Sequence, residues 1–201
     1  MAGRAMSVEE ILEVVLKDRI FYDDSGGGVT FSGGEPLRQA GFLRAVLEAC
    51  RQSRLHTVVD SCGLASQEDL LSVAELTDLF LFDVKMMNEE KHRRYTGVSN
   101  RQILSNLEAL GRMEQPIWLR VPVIPGVNDD AENLGATAKL AASIPSVERV
   151  CLLPYHPLGE SKSRRLERDA TLPELQSPTP GDMQNLVELV EAEGIAASIG
   201  G

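Results

Sequence analysis

No run in this 201-residue chain approaches the roughly 18 to 20 consecutive apolar residues that a membrane-spanning helix needs. No charged-then-apolar signal segment opens it. Cysteine is scarce. Cys50, Cys62 and Cys151 lie too far apart for a CxxC metal clamp, and their odd number does not make a disulfide framework. They read as reduced thiols in a cytoplasmic protein. Basic charge falls short of acidic, 20 residues against 30, and the net charge of −10 argues against a nucleic-acid surface. Internal repeats and low-complexity tracts are absent. What remains is a globular composition, 43% apolar, ample for the core of a single domain spanning 1–201.

The chain is organised around a glycine-rich stretch, Ser25-Gly26-Gly27-Gly28-Val29-Thr30-Phe31-Ser32-Gly33-Gly34-Glu35-Pro36. Its β-branched and aromatic centre favours a strand, and its end suits only a tight turn. Adjacent glycines let the backbone approach a ligand closely, because no Cβ intrudes. A lone motif of this kind is a weak signal.

Upstream, Ser7 and Glu10 form a capping box that opens a helix running to about Arg19. Downstream, strand and helix alternate. A helix presents Phe42, Leu43, Val46, Leu47 and Cys50 on one face. Strands are expected at Thr57–Asp60, at Leu79–Lys85 and at Ile117–Val121, the last stopped by Pro122 and Pro125. Two more are expected at Arg149–Leu153 and Ile195–Ile199. The apolar run Leu79–Phe82 suits a strand buried on both faces. Helices are expected at 67–74, after Asn100 as a cap, and at 131–143. The polar stretch around Lys91, His92, Arg93 and Arg94 reads as solvated surface. Residues 157–181 read as a long polar loop. Residues 182–201 supply a helix, capped by Thr179 with Pro180 at its first position, and a short strand. Such alternation means a parallel sheet with helical crossovers, doubly wound or barrel-like.

Polar residues gather where the strands end: Ser32 to Glu35, Asp60 with Ser61, Asp83 with Lys85, Arg120, and Tyr155 with His156. That rim is where parallel sheets bind ligands. A charge inside a strand is costly unless paired or facing the mouth. Asp83, Lys85 and Arg120 are therefore expected to point into one site, for a small ligand carrying both charges. Each also has a plainer reading. Asp83 and Lys85 can pair with each other or with Arg120, Asp60 can cap a turn, and His156 can bond backbone. A Schiff-base lyase built on Lys85 is a further alternative.

Together these motifs resemble the glycyl-radical-enzyme activating enzymes, radical S-adenosylmethionine (SAM) proteins typified by pyruvate formate-lyase activating enzyme. The segments that match in order are Ser25–Pro36, Asp60-Ser61-Cys62-Gly63, Thr77–Lys85, Tyr95–Asn100, Arg120–Asp129 and Leu152–Gly159. The resemblance implies an α/β fold, a partial (β/α) barrel. It implies that Gly33, Gly34 and Glu35 border the methionyl amino group of SAM. It places Asp83, Val84, Lys85 and Arg120 on the same cofactor, and His156 near its nucleoside. Asp60, Ser61 and Asp83 resemble a monovalent-cation site. The activity implied is generation of a glycyl radical on a partner enzyme, formate acetyltransferase-like, through a 5′-deoxyadenosyl radical. The family holds a 4Fe–4S cluster on a C-x3-C-x2-C loop after its first strand, and the three cysteines here do not reproduce that spacing. The expectation is a chain truncated ahead of Met6, lacking the first strand and cluster loop and inactive alone. The sheet edge at Val29–Phe31 would then be exposed, prone to dimerise or aggregate. The alternatives are a non-catalytic SAM-binding or partner-binding module, or half of a split enzyme.

Overall fold

The structure, a computed structural model, describes residues 4–155 and 177–200. Its strands are β1 (Gly28–Phe31), β2 (His56–Ser61), β3 (Leu79–Asp83), β4 (Ile117–Val123), β5 (Val147–Pro154) and β6 (Ala197–Ile199). They form one sheet in chain order, each strand beside its predecessor. The pairs β1/β2, β2/β3 and β5/β6 run parallel. A doubly wound sheet reverses its order at a switch point, and this one does not. The winding is that of a (β/α) barrel. It resolves the choice that alternation alone left open.

Between the strands lie α1 (Val8–Leu16), α2 (Arg19–Ser25), a 3-10 turn at Pro36–Gln39, α3 (Ala40–Gln52), α4 (Gln67–Ala74), α5 (Glu89–Thr96), α6 (Arg101–Arg112), α7 (Ala131–Ala142) and α8 (Pro180–Glu191). No helix among the described residues is long and apolar enough to cross a membrane. Packing divides the chain into two compact units. One comprises Met1–Phe82 with Gln102–Ile117, the other Asp83–Arg101 with Trp118–Gly201.

In the first unit the Ser7–Glu10 capping box is closed, with bonds of 2.8 and 3.2 Å. Helix α1 ends at Leu16, short of Arg19. A second helix, α2, then runs to Ser25 and stops at Gly26, whose φ of +67° suits glycine. Cys50, Val46 and Leu55 form a small core against Ile11, Val29 and Phe31. Phe42, expected on the buried face of α3, is 38% exposed.

The period-2 pleat decides where the charges go. Phe80 and Phe82 of β3 are fully buried, whereas Leu79, Leu81 and Asp83 alternate with them on a half-buried face. The expectation of burial on both faces fails here. Consecutive apolar residues cannot signal it when only alternate ones are packed. In β4, Leu119 and Val121 are buried while Trp118, Arg120 and Pro122 share the less buried face. Pro122 does not stop this strand, which continues to Val123. Asp83 and Arg120 thus sit on the face with room for them.

In the second unit the polar stretch after β3 is helix α5, capped by Asn88 and closed by Gly97. His92, expected as solvated surface, is 2% exposed. Its Nδ1 lies 2.8 Å from the Val98 carbonyl oxygen. It is the buried residue of a helix with no apolar stripe. The final helix opens on the expected Thr179 cap and Pro180, with Asp182 completing a capping box.

Candidate functional site

The first unit brings together Ser32, Glu35, Asp60, Ser61 and Cys62. Strand β1 ends at Phe31, and the Ser32 hydroxyl donates to Asp60 Oδ2 at 2.9 Å. Gly33 has φ +128°, a conformation that excludes most side chains. No atom stands within 4 Å of where a Cβ would project from Gly33 or Gly34. The turn therefore presents open backbone.

Glu35 reaches back into the unit. Its Oε1 accepts from Ser61 Oγ at 2.7 Å and from the Leu37 N–H at 3.2 Å. Its Oε2 accepts from the Cys62 N–H and thiol, both at 3.0 Å. The pleat of β2 sends Asp60 to the half-buried face and Ser61, 2% exposed, to the other. Ser61 Oγ also accepts from the Gly63 N–H at 2.8 Å. Gly63 has φ +69°, and the Phe82 ring occupies the space a Cβ would need. Asn106 of α6 donates to the carbonyls of Gly63 and Ala65 at 2.8 and 3.0 Å, holding this loop from its far side.

The second unit holds the charged group. Arg120 Nε and Nη2 lie 2.9 and 2.8 Å from Asp83 Oδ1. Lys85 Nζ lies 3.5 Å from Asp83 Oδ2. The side chains of Asp83 and Arg120 are 18% and 15% exposed, and that of Lys85 is 38% exposed. One anion thus lies between two cations, and Lys85 is the more accessible of them. The pairing foreseen as the plainer reading is present. The same strand ends are linked through backbone, the Val84 N–H donating to the Arg120 carbonyl at 2.9 Å. Val84 is 2% exposed and serves the core. Tyr155 follows β5, its N–H bonded to the Val123 carbonyl. His156 lies outside the described residues.

Sequence reasoning missed Asn106 here and, in the second unit, Asn100, Asn128 and Asn133. Asn100, expected as a helix cap, gives its amide protons to the Met86 and Met87 carbonyls. No local spacing announces such contacts. The one available signal was polar residues sitting inside otherwise apolar motifs. Nearby, Glu89 gathers Ser99, Arg93 and Arg101. The Ser99 hydroxyl, then the two guanidinium groups, hold its carboxyl below the usual range. Asp130 is lowered by the Asn133 N–H and then by Lys91, 3.2 Å away.

The cysteines do not suit an iron–sulfur cluster. Cys50 is buried in the α1–α3 core, and burial pushes its thiol pKa up, against the thiolate that iron requires. Cys62 is bonded to Glu35, and Cys151 is buried within β5. No group of three metal-ligating side chains occurs among the described residues. The charged group of the second unit suits the carboxylate and positive charge of a sulfonium amino acid, with two cations for the one and an anion for the other.

The barrel-type winding and this strand-end chemistry agree with comparison to known proteins. The chain belongs to the Radical SAM superfamily, whose family model matches residues 1–138. Its relatives within that superfamily are activating enzymes of glycyl radical enzymes. It is 38% identical over 203 residues to the trans-4-hydroxy-L-proline dehydratase activating enzyme of Clostridioides difficile, covering all of this chain and 67% of that protein. It is 43% identical over 176 residues to the isethionate sulfite-lyase activating enzyme of Oleidesulfovibrio alaskensis, covering 86% of this chain and 56% of that one. The chain therefore spans between about half and two thirds of these relatives' lengths. A crystal structure of a domain of pyruvate-formate lyase-activating enzyme from Bacteroides vulgatus superposes with a TM-score of 0.74 at 34% identity, covering 87% of this chain and 99% of that one.

Proposed function

We propose that the chain is the SAM-holding part of an activating enzyme that installs a glycyl radical on a partner enzyme. The observation that carries this reading is the Asp83–Arg120–Lys85 triad, built on the end of β3 and the middle of β4 in a Radical SAM chain. In this reading Arg120 and Lys85 bind the methionyl carboxylate of SAM. Arg120, clamped to Asp83, is the fixed half of the pair. Lys85, half exposed, is the half that adjusts. Asp83 holds both cations and offers its charge to the positive end of the ligand. Glu35, saturated by four donors, shapes the turn from behind. His156 is assigned to the nucleoside, and Asp60 to a monovalent cation.

SAM bound beside a reduced iron–sulfur cluster supplies hydrogen-atom abstraction. The cysteines of this chain do not fit such a cluster, so no step is drawn through one. We assign its ligands to a segment not among these 201 residues, and expect the chain alone to be inactive. The partner is a glycyl radical enzyme of the formate acetyltransferase kind. β1 ends the strand order with β2 as its one neighbour among the described residues, and its free edge is assigned to pairing with another chain.

Two measurements test this. Trp118 is the sole tryptophan and shares the β4 face with Arg120, so its emission reports ligand at the triad. Titration with SAM should change it saturably, and Lys85→Ala should weaken binding about tenfold, the scale of one charge-assisted hydrogen bond. An unchanged titration in Lys85→Ala ends the reading. The parent reading frame, read upstream of Met1, should encode a Cys-x3-Cys-x2-Cys loop. Its purified, reduced product should give the partner an EPR doublet from a glycyl radical in the presence of SAM.

A further inference from the structure

The second unit buries three asparagines that the proposed function does not use. Asn100, Asn128 and Asn133 are 3%, 1% and 7% exposed. All three turn to one short segment just past β3. Asn128 donates to the Lys85 carbonyl at 2.8 Å and to the Pro122 carbonyl at 2.7 Å. Its Oδ1 accepts from the Ile124 N–H at 2.7 Å. Asn100 holds the carbonyls of Met86 and Met87 at 3.0 and 2.8 Å. Asn133 accepts from the Met87 N–H at 2.8 Å and donates to the Asn128 carbonyl at 2.9 Å.

The register matters. Lys85 follows Asp83 by two residues, and Pro122 follows Arg120 by two. Asn128 thus ties together the backbone just beyond each member of the Asp83–Arg120 pair. A lysine has four rotatable side-chain bonds, so its ammonium is placed reproducibly only if its Cα is fixed. Past the end of β3 that fixing comes from side-chain amides. Asparagine alone among short side chains offers two donors and an acceptor without charge. All three are used at Asn128.

We propose that Asn128 is a positioning residue for Lys85, fixing the backbone from which the lysine reaches Asp83 and, on the reading above, the ligand carboxylate. Asn100 and Asn133 brace the same segment. Asn128 touches no ligand and acts only through Lys85.

The experiment reads the lysine directly. Lysines of the folded chain are acetylated briefly with acetic anhydride, and the labelling rate at Lys85 is compared with that at Lys139, whose side chain is 70% exposed. In Asn128→Ala the Lys85 rate should rise about threefold against Lys139, the factor expected when a half-exposed ion pair is released. Asn128→Ser, which keeps one donor, should fall between, and serves alone if the alanine variant does not fold. An unchanged Lys85 rate, or equal rises at both lysines, overturns the proposal. In the SAM titration, Asn128→Ala should weaken binding in the parent background and add nothing in a Lys85→Ala background, because both act through one group. A loss that persists undiminished without Lys85 also overturns it. If Lys85→Ala leaves SAM binding unchanged, the function reading fails, while the labelling result still decides the role of Asn128.

Discussion

Two carboxylates at strand ends, Glu35 in the first unit and Asp83 in the second, are held in opposite ways. Glu35 is held by four neutral donors: a serine hydroxyl, a thiol and two backbone N–H groups. Asp83 is held by two cations. Neutral donors arranged by the local fold commit a carboxylate to structure, leaving little for a ligand to gain. A cation pair with one exposed partner can be reopened, because water and ligand compete for the same ammonium. On the proposed function, the difference makes Glu35 the shaping group and Asp83, with Lys85 and Arg120, the responsive one.

The contrast can be broken most forcefully at Gly63. Gly63→Ala adds a Cβ at positive φ against the buried Phe82 ring. It should cost about 3 kcal/mol in urea unfolding and release the loop that presents Ser61 and Cys62 to Glu35. A loss near zero would mean that the neutral bracket is not rigid. Next comes Arg120→Ala, which leaves Asp83 half-buried beside Lys85 alone. A loss of about 2 kcal/mol is expected, below the range for fully buried pairs, with part recovered in the Asp83→Ala, Arg120→Ala double variant. Ser61→Ala removes one of the four donors and should cost about 1 kcal/mol, independent of salt, whereas the Arg120→Ala loss should shrink in high salt.

The smallest effect is in acid. The carboxyl of Glu89 titrates below its ordinary value, first because of the Ser99 hydroxyl and then because of Arg101 and Arg93. The unfolded chain therefore binds a proton before the folded one does. Its contribution is complete above the ordinary glutamate value of about 4.3 and is lost as pH falls through the lowered one. Glu89→Gln should flatten the acid limb of stability against pH, measured by urea unfolding; an unchanged limb would contradict the linkage.

Much of this was legible in the sequence. Helix α4 runs from Gln67 to Ala74, as its apolar spacing indicates, and the caps at Ser7 and Thr179 announce their helices. The position of Asp83 at the end of β3, with Lys85 just beyond, follows from polar residues closing an apolar run; Arg120, expected at a strand end, sits mid-strand because β4 runs on through Pro122 to Val123. Helix α5 was missed because its buried residue is a histidine rather than an apolar stripe, although Asn88 and Gly97 bracket it. The asparagine contacts were not legible at all. Asn106 meets Gly63 and Asn128 meets Lys85 across 43 residues each, and hydrogen bonds of that reach leave no periodic trace.

Amide side chains neither gain nor lose protons in water at ordinary pH. The bonds that Asn128 makes to Lys85, and Asn100 and Asn133 to Met86 and Met87, thus keep their shape from mild acid to mild base. Whatever charge a ligand brings to Lys85, the backbone beneath it stays where these amides hold it.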